Sequence, residues 1–223
     1  MRVCLINPPS SFLLDDRVFM PLGILRVAAA LEAKGVEVEV IDLSGHPESD
    51  WLSLIPSRRI YGITATTAQI PSTLRILHLL RHTHPTSRVI LGGPHATLCH
   101  SARHTHRGHR AFDQLLTLFN TVVVGDGEKA IFEAISDSPP ILVNADDPKS
   151  PLFLTPADLA SAPLPARHLL DVSSYHYKID GLPTLSLIAQ LGCPFGCGFC
   201  GVLLWCSQAQ SALLQIVCSQ LQP

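Results

Sequence analysis

Apolar residues in this chain fall into short strand-like runs separated by longer stretches with helical spacing. Residues 2–7, RVCLIN, make a buried strand closed by Pro8 and Pro9. A loop, SSFLLDDRVFM, leads into PLGILRVAAALEAKG (21–35). That segment reads as a helix, with Pro21 at its start and Gly35 at its end. VEVEVID (36–42) alternates apolar and acidic residues and predicts a second strand. IYGITATT (60–67), RVILGGPHAT (88–97) and TVVVG at the head of 121–135 predict three more, with helices over 70–82 and after the Gly125-Asp126-Gly127 turn. Strands that are apolar throughout and alternate with helices imply a parallel sheet covered on both faces. The expected class is doubly wound α/β, with its binding crevice at the carboxyl ends of the strands.

Residues 136–183 lack this periodicity. They contain SPP, DDPKSP and LPARHLLD and read as a proline-rich connector. TLSLIAQ (184–190) predicts a new strand, and QSALLQIVCSQL a further helix. The expected division is 1–136, an α/β domain; 137–183, the connector; and 184–223, the start of a second domain.

The turns after the strands are alike in composition. Asn7, Asp42, Thr64, Thr66, Thr67, Gly92, Gly93, Pro94, His95, Gly125, Asp126, Gly127 and Glu128 should share one edge of the sheet. Glycine permits close backbone approach there, and threonine adds small hydroxyl donors and acceptors. A large flat or phosphate-bearing ligand could lie across such an edge. Taken singly, each turn reads equally as an ordinary strand-to-helix closure. None is a G-x-G-x-x-G fingerprint, so a dinucleotide site is disfavoured. The stretch 96–110 carries His100, His104, His106 and His109 among Arg103, Arg107 and Arg110. It reads as a solvated basic loop in preference to a metal site.

Composition narrows the classes. Apolar residues are 47% of the chain, enough for a core, and charged residues only 15%. A net charge of −2 supplies no reason to expect nucleic acid. No run approaches the length of a membrane span, and the N-terminus MRVCLINPP is too short in apolar character for a secretory signal. Seven cysteines, an odd number, favour reduced thiols and a cytoplasmic setting over a disulfide framework.

Three of those cysteines stand close together. LGCPFGCGFCG (191–201) places Cys193, Cys197 and Cys200 in a C-x₃-C-x₂-C array among four glycines. Three thiolates can hold three irons of a [4Fe–4S] cube and leave the fourth iron open. Zinc is the competing reading, with Cys206 or Cys218 as a fourth ligand. Cysteines as small buried side chains are the third, weakened by the glycines around them.

GCPFGCGFC resembles the cluster loop of radical S-adenosylmethionine (SAM) enzymes, with Phe199 in the aromatic position. The resemblance implies that Cys193, Cys197 and Cys200 ligate the cube and that SAM chelates the open iron. It also implies a reductant, such as flavodoxin or ferredoxin, and cleavage of SAM to a 5′-deoxyadenosyl radical. LINPP (5–9), PLGILRVAAAL (21–31), VIDL (40–43), GIT (62–64), GGPHAT (92–97), GDGE (125–128) and LPARHLLD (164–171) narrow the likeness to the cobalamin-binding subgroup. That likeness implies a Rossmann-like B12 domain whose turns at 64–67, 92–96 and 125–128 line the corrin and its nucleotide tail. The D-x-H-x-x-G motif that supplies a histidine to cobalt is absent, so cobalamin is expected without that ligand. The chain ends at Pro223, soon after Cys200, so only the first strand of a β/α barrel is expected. The leading function is a cobalamin-dependent radical SAM enzyme, of methyltransferase type or a fragment of one, acting on a small-molecule or peptide substrate. The alternatives are a stand-alone cobalamin-binding module and a zinc-stabilised regulatory α/β domain.

Overall fold

The computed structural model describes residues 1–188. The cysteine array, Phe199, Cys206, Cys218 and the helix expected after them lie outside the described residues. Chain order is β1 (Arg2–Asn7), α1 (Leu22–Ala33), β2 (Glu37–Asp42), α2 (Trp51–Leu54), β3 (Ile60–Thr64) and α3 (Ile70–Thr83). Then come β4 (Arg88–Gly92), α4 (Pro94–Ser101), α5 (His106–Leu118), β5 (Thr121–Gly125), α6 (Gly127–Ala134), β6 (Leu142–Ala145), α7 (Pro156–Ser161), β7 (Lys178–Ile179) and β8 (Leu182–Pro183).

Strands β1 to β6 form one parallel sheet in the order β2-β1-β3-β4-β5-β6. The doubly wound α/β expectation holds. The pleat sends alternate residues to opposite faces. Val3, Leu5, Val40, Ile60, Ile90, Val123 and Val143 pack under α1 and α6. Cys4, Ile6, Tyr61, Ile63, Val89, Leu91, Val122 and Val124 pack under α2, α3 and α5. The chain turns away from β1 towards β2 and then returns past β1 to β3, so the direction of winding reverses between β1 and β3. The carboxyl ends of these two strands therefore flank a topological switch point, where open α/β sheets bind ligands.

The sheet extends further than the periodicity predicts. β6 comes from the proline-rich stretch and pairs with β5, Val123 opposite Val143 and Gly125 opposite Ala145. Its connection has an unusual hand. α1 lies on one face while the chain steps from β1 to β2; α6 lies on that same face while the chain steps the opposite way, from β5 to β6. The two crossovers must therefore have opposite hands, and α3, on the other face, follows the hand of α1. Right-handed crossovers dominate parallel sheets, so the β5–α6–β6 unit is the exception.

The histidine-rich stretch is not a loop. It comprises most of α4, a short 3-10 turn and the start of α5. The Thr105 hydroxyl caps α5 by accepting from the Gly108 amide at 3.0 Å. Phe112 and Leu115 turn inward, while the basic residues occupy the outer face. His100 is buried edge-on to the Phe112 ring at 5.1 Å. Among the described residues, no group of three or more His, Cys, Asp or Glu is arranged to hold a metal ion. No described helix is long and apolar enough to cross a membrane.

The segment after β6 folds back on the domain. Lys129 of α6 reaches Asp158 of α7 at 2.7 Å, and the Ala166 amide donates to the Leu25 carbonyl of α1 at 3.1 Å. β7 and β8 form a short antiparallel hairpin. Residues 184–188, in the strand expected over 184–190, carry no regular secondary structure; its last two residues lie outside the described residues.

Candidate functional site

The parallel register sets the strand ends level. Asn7 pairs with Asp42 and Thr64 with Gly92, so these residues line one edge of the sheet with Gly125. Two glycines there need their missing side chains. Gly93 has φ +92°, and a Cβ would stand 2.6 Å from the Thr64 hydroxyl and 2.8 Å from the Ala65 nitrogen. Gly125 has φ +84°, and a Cβ would stand 2.5 Å from both the Ala145 carbonyl carbon and the Asp146 nitrogen. The β3 and β4 turns then lock together. Ala65 N donates to Gly92 O at 3.1 Å, and His95 N donates to Ala65 O at 2.9 Å.

Asp42 and Asn7 are buried and satisfied by this chain's own groups. Asn7 Nδ2 donates to Asp42 Oδ1 at 2.8 Å and to Ser44 Oγ at 3.1 Å; Ser44 N donates to the same carboxylate oxygen at 3.0 Å. Tyr175 donates its hydroxyl to Asp42 Oδ2 at 2.5 Å. Burial, followed by that bond and the Asp42 charge, pushes the Tyr175 phenol well above its ordinary range, so it stays a donor. Gln69 continues the network. Its Nε2 donates to Asn7 Oδ1 at 3.2 Å and Pro8 O at 2.6 Å, and its Oε1 accepts from Thr66 N at 2.9 Å and Thr66 Oγ1 at 3.0 Å.

His95 sits on α4 with both ring nitrogens engaged. Nδ1 meets Thr67 Oγ1 at 3.0 Å and Nε2 meets Cys99 Sγ at 3.4 Å. Burial lowers its pKa and raises that of Cys99, so a neutral imidazole faces a neutral thiol at pH 7. Neither ring nitrogen is left pointing at the crevice. Thr97, one turn from Gly93, bridges the β4 and β5 tips, accepting from Gly125 N at 2.9 Å.

The Gly-Asp-Gly-Glu turn serves packing first. A Cβ at Gly127 would stand 2.8 Å from Val27 Cγ2 of α1. Glu128, half-buried, meets the buried Arg26 of α1 at 2.6 Å. Burial raises the Glu128 carboxyl, and the guanidinium opposes the rise. Asp126 is likewise raised by burial against the opposing Arg26 charge. Asp146, at the tip of β6, is pushed up to about 6 by burial and then by Asp126.

What remains open on this edge is apolar and hydroxylic. Thr66, Thr67 and Pro94 are exposed, Gly92 and Gly93 half-buried. The loop after β1 holds Phe12, Leu13 and Leu14 in solvent, with Phe12 82% exposed. In the same loop the Ser10 hydroxyl is buried without a hydrogen-bond partner among the described residues. Asp16 braces the loop, accepting from Ser10 N and Gly45 N, each at 2.9 Å. An amphipathic ligand with a broad apolar face and a hydrogen-bonding rim suits this set; a compact multiply charged one does not.

The model of the B12 binding domain matches residues 17–134. The chain belongs to the B12-binding domain family. The matched region contains every element from α1 to α6, including the turns at 64–67, 92–95 and 125–128. An uncharacterized methyltransferase of Pyrococcus horikoshii, PH0819, is 27% identical over 223 residues, covering 90% of this chain and 45% of that protein. A radical S-adenosylmethionine methyltransferase of Kitasatospora setae, TsrM, solved with tryptophan substrate and a SAM analog, shares the fold at a TM-score of 0.60 and 18% identity. That superposition covers 98% of this chain and 44% of TsrM. The chain thus spans under half the length of the curated relative and of the solved structure it matches.

Corrin, a flat macrocycle rimmed with amides, fits the exposed hydroxyl and apolar edge of this B12-binding domain. Sequence reasoning missed Gln69, Thr97 and Tyr175. The T-x-x-Q spacing of Thr66 and Gln69 is a capping-box signal that marks Gln69. Nothing local marks Tyr175, whose partner Asp42 lies far away in sequence.

Proposed function

We propose that this chain is the cobalamin-binding part of a cobalamin-dependent radical SAM enzyme of methyl-transfer type. The match of the B12 binding domain model to residues 17–134 carries the reading. The likeness to PH0819 over 90% of the chain supports the methyl-transfer class. The C-x₃-C-x₂-C array supports a [4Fe–4S] site on Cys193, Cys197 and Cys200, with Phe199 beside it. Bound together, these groups would supply a methyl donor and, from SAM, a radical that removes hydrogen from unreactive carbon.

The chain's own residues bind and orient. Thr66 and Thr67, with the turn Gly92-Gly93-Pro94-His95, form the rim along which the corrin amides would lie. Gly125, Asp126, Gly127 and Glu128 shape the wall towards α1. Phe12, Leu13 and Leu14 keep water from an apolar ring face. Thr64, Asn7 and Asp42 hold the floor. His95, tied at both nitrogens, is a rim residue in this reading and not a ligand to cobalt.

The test is anaerobic purification of the chain with iron, sulfide and hydroxocobalamin, read by absorbance and metal content. The expected result is one corrin and about four irons per chain, with Cys197→Ala losing the iron and keeping the corrin. A chain that takes up no corrin refutes the cobalamin reading. Corrin without iron in the unaltered chain refutes the cluster and leaves a cobalamin-binding module.

A further inference from the structure

Resting on the cobalamin reading, we infer that Tyr175 is a positioning residue of the corrin site, through which docking of the segment after the domain is coupled to cobalamin binding. The relay Tyr175–Asp42–Asn7–Gln69–Thr66 crosses the tips of β2, β1 and β3, the strands around the switch point. Every link is a hydrogen bond of 3.2 Å or less: Tyr175 to Asp42, Asn7 to Asp42, Gln69 to Asn7 and Thr66 to Gln69. One end is the exposed turn at Thr66 and Thr67; the other is a side chain from beyond the sheet. Asp42 and Asn7 are buried, so the links between them are shielded from competing water.

Tyr175 reaches Asp42 because its segment clasps the loop after β1. His176 N donates to Arg17 O at 3.2 Å and Tyr177 N to Val18 O at 3.1 Å, tying one loop to the other. Arg17 closes the clasp. Its guanidinium donates to Ser174 Oγ at 2.9 Å and to Ser44 O at 2.8 Å, and lies 5.0 Å from the Tyr175 ring centre. Asp15 meets His176 at 2.9 Å, and Phe19 lies against Tyr177 at 4.5 Å. The clasped loop is the one that holds Phe12, Leu13 and Leu14 exposed beyond the carboxyl end of β1. One docking event thus sets both a wall of the crevice and the relay beneath it.

A coupling of this kind is reciprocal: if docking strengthens cobalamin binding by some factor, cobalamin strengthens docking by the same factor. The experiment uses the full chain, hydroxocobalamin as probe and two variants. Tyr175→Phe removes only the hydroxyl; Arg17→Met opens the clasp without touching Asp42. Cobalamin affinity is read by absorbance titration, and hydrogen exchange is followed at the His176 and Tyr177 amides with and without cobalamin. Both variants are expected to bind roughly tenfold more weakly, and cobalamin should slow exchange at the two amides in the unaltered chain much more than in Tyr175→Phe. A merely structural hydroxyl would lower the melting temperature without making amide protection depend on cobalamin. If the unaltered chain binds cobalamin and Tyr175→Phe binds equally well, or cobalamin leaves the two amides unchanged, the coupling is refuted and the cobalamin reading stands. Failure of the unaltered chain to bind corrin refutes both.

Discussion

Gly125→Ala offers a direct test of how the β5 tip is built. The new methyl would stand 2.5 Å from the Ala145 carbonyl carbon and 2.5 Å from the Asp146 nitrogen. Both are backbone atoms at the end of β6, so no side-chain rotation relieves the contact. Moving β6 away strains the pairing of Gly125 with Ala145 and of Val124 with Asn144. The φ of +84° adds a second cost, because an L side chain in the left-handed region loses roughly 1–2 kcal/mol. Overpacking against a fixed neighbour costs roughly 1–3 kcal/mol. Together they predict a loss of about 2–5 kcal/mol, a large part of the ~5–15 kcal/mol that holds a domain together. Urea unfolding, followed by circular dichroism, measures it as a fall in midpoint at unchanged slope. Gly35→Ala is the internal comparison: φ is +71°, but a Cβ there meets nothing within 4 Å. It isolates the conformational cost, about 1 kcal/mol. If Gly125→Ala costs no more than Gly35→Ala, the close approach of β6 to β5 is refuted.

Two further outcomes concern partly buried carboxylates. Arg26→Met leaves the Glu128 carboxylate, 12% exposed, without its cation and should cost about 3 kcal/mol in urea unfolding; Arg26→Met with Glu128→Met should recover most of it, and equal losses in both would refute the ion pair. The Asp146 carboxyl titrates at about 6 in the fold against an ordinary value of 3.8, so the native chain holds that proton more tightly than the unfolded one. Its contribution to stability is present in acid and is lost as pH rises from about 4 through 6. Asp146→Asn should therefore gain on the unaltered chain across that interval, read as the difference in urea midpoints at its two ends. A constant difference would refute the shift.

Strands β1, β3, β4 and β5 were legible as apolar runs bounded by turn residues and β2 by its alternation of apolar and acidic residues, and the level strand ends follow from a parallel sheet. β6 was not. Only Val143 and Ala145 of its four residues are fully buried, and prolines precede and follow it, so it carries the composition of a loop. Its place in the sheet depends on α6 docking beside α1, a contact between distant segments. The helices over 94–118 were obscured for a different reason. His and Arg dominate the composition of 100–110 and mask the i, i+3 spacing that Ala96 keeps with Cys99 and Phe112 with Leu115. Most of these polar residues solvate the outer face of a helix, and His100 alone of the four histidines is buried.

The site shows a related division between motif and contact. The residues most visible in the sequence, Gly125, Gly127, Glu128 and Asp42, have partners within the protein: β6 backbone, Val27, Arg26 and Tyr175. What is left for a ligand is less visible: exposed threonine hydroxyls, peptide groups and three apolar side chains in a loop. A corrin has hydrogen-bonding groups around its rim and little net charge to recognise, so such a surface needs shape more than charged side chains. The motif residues then matter because they hold that shape. Substitutions at Glu128 should therefore act on corrin binding mainly through stability and loop position, and their effects should track the urea midpoint. Tyr175 differs: its hydroxyl lies at the end of the relay, so its removal should weaken corrin binding by more than its effect on stability accounts for.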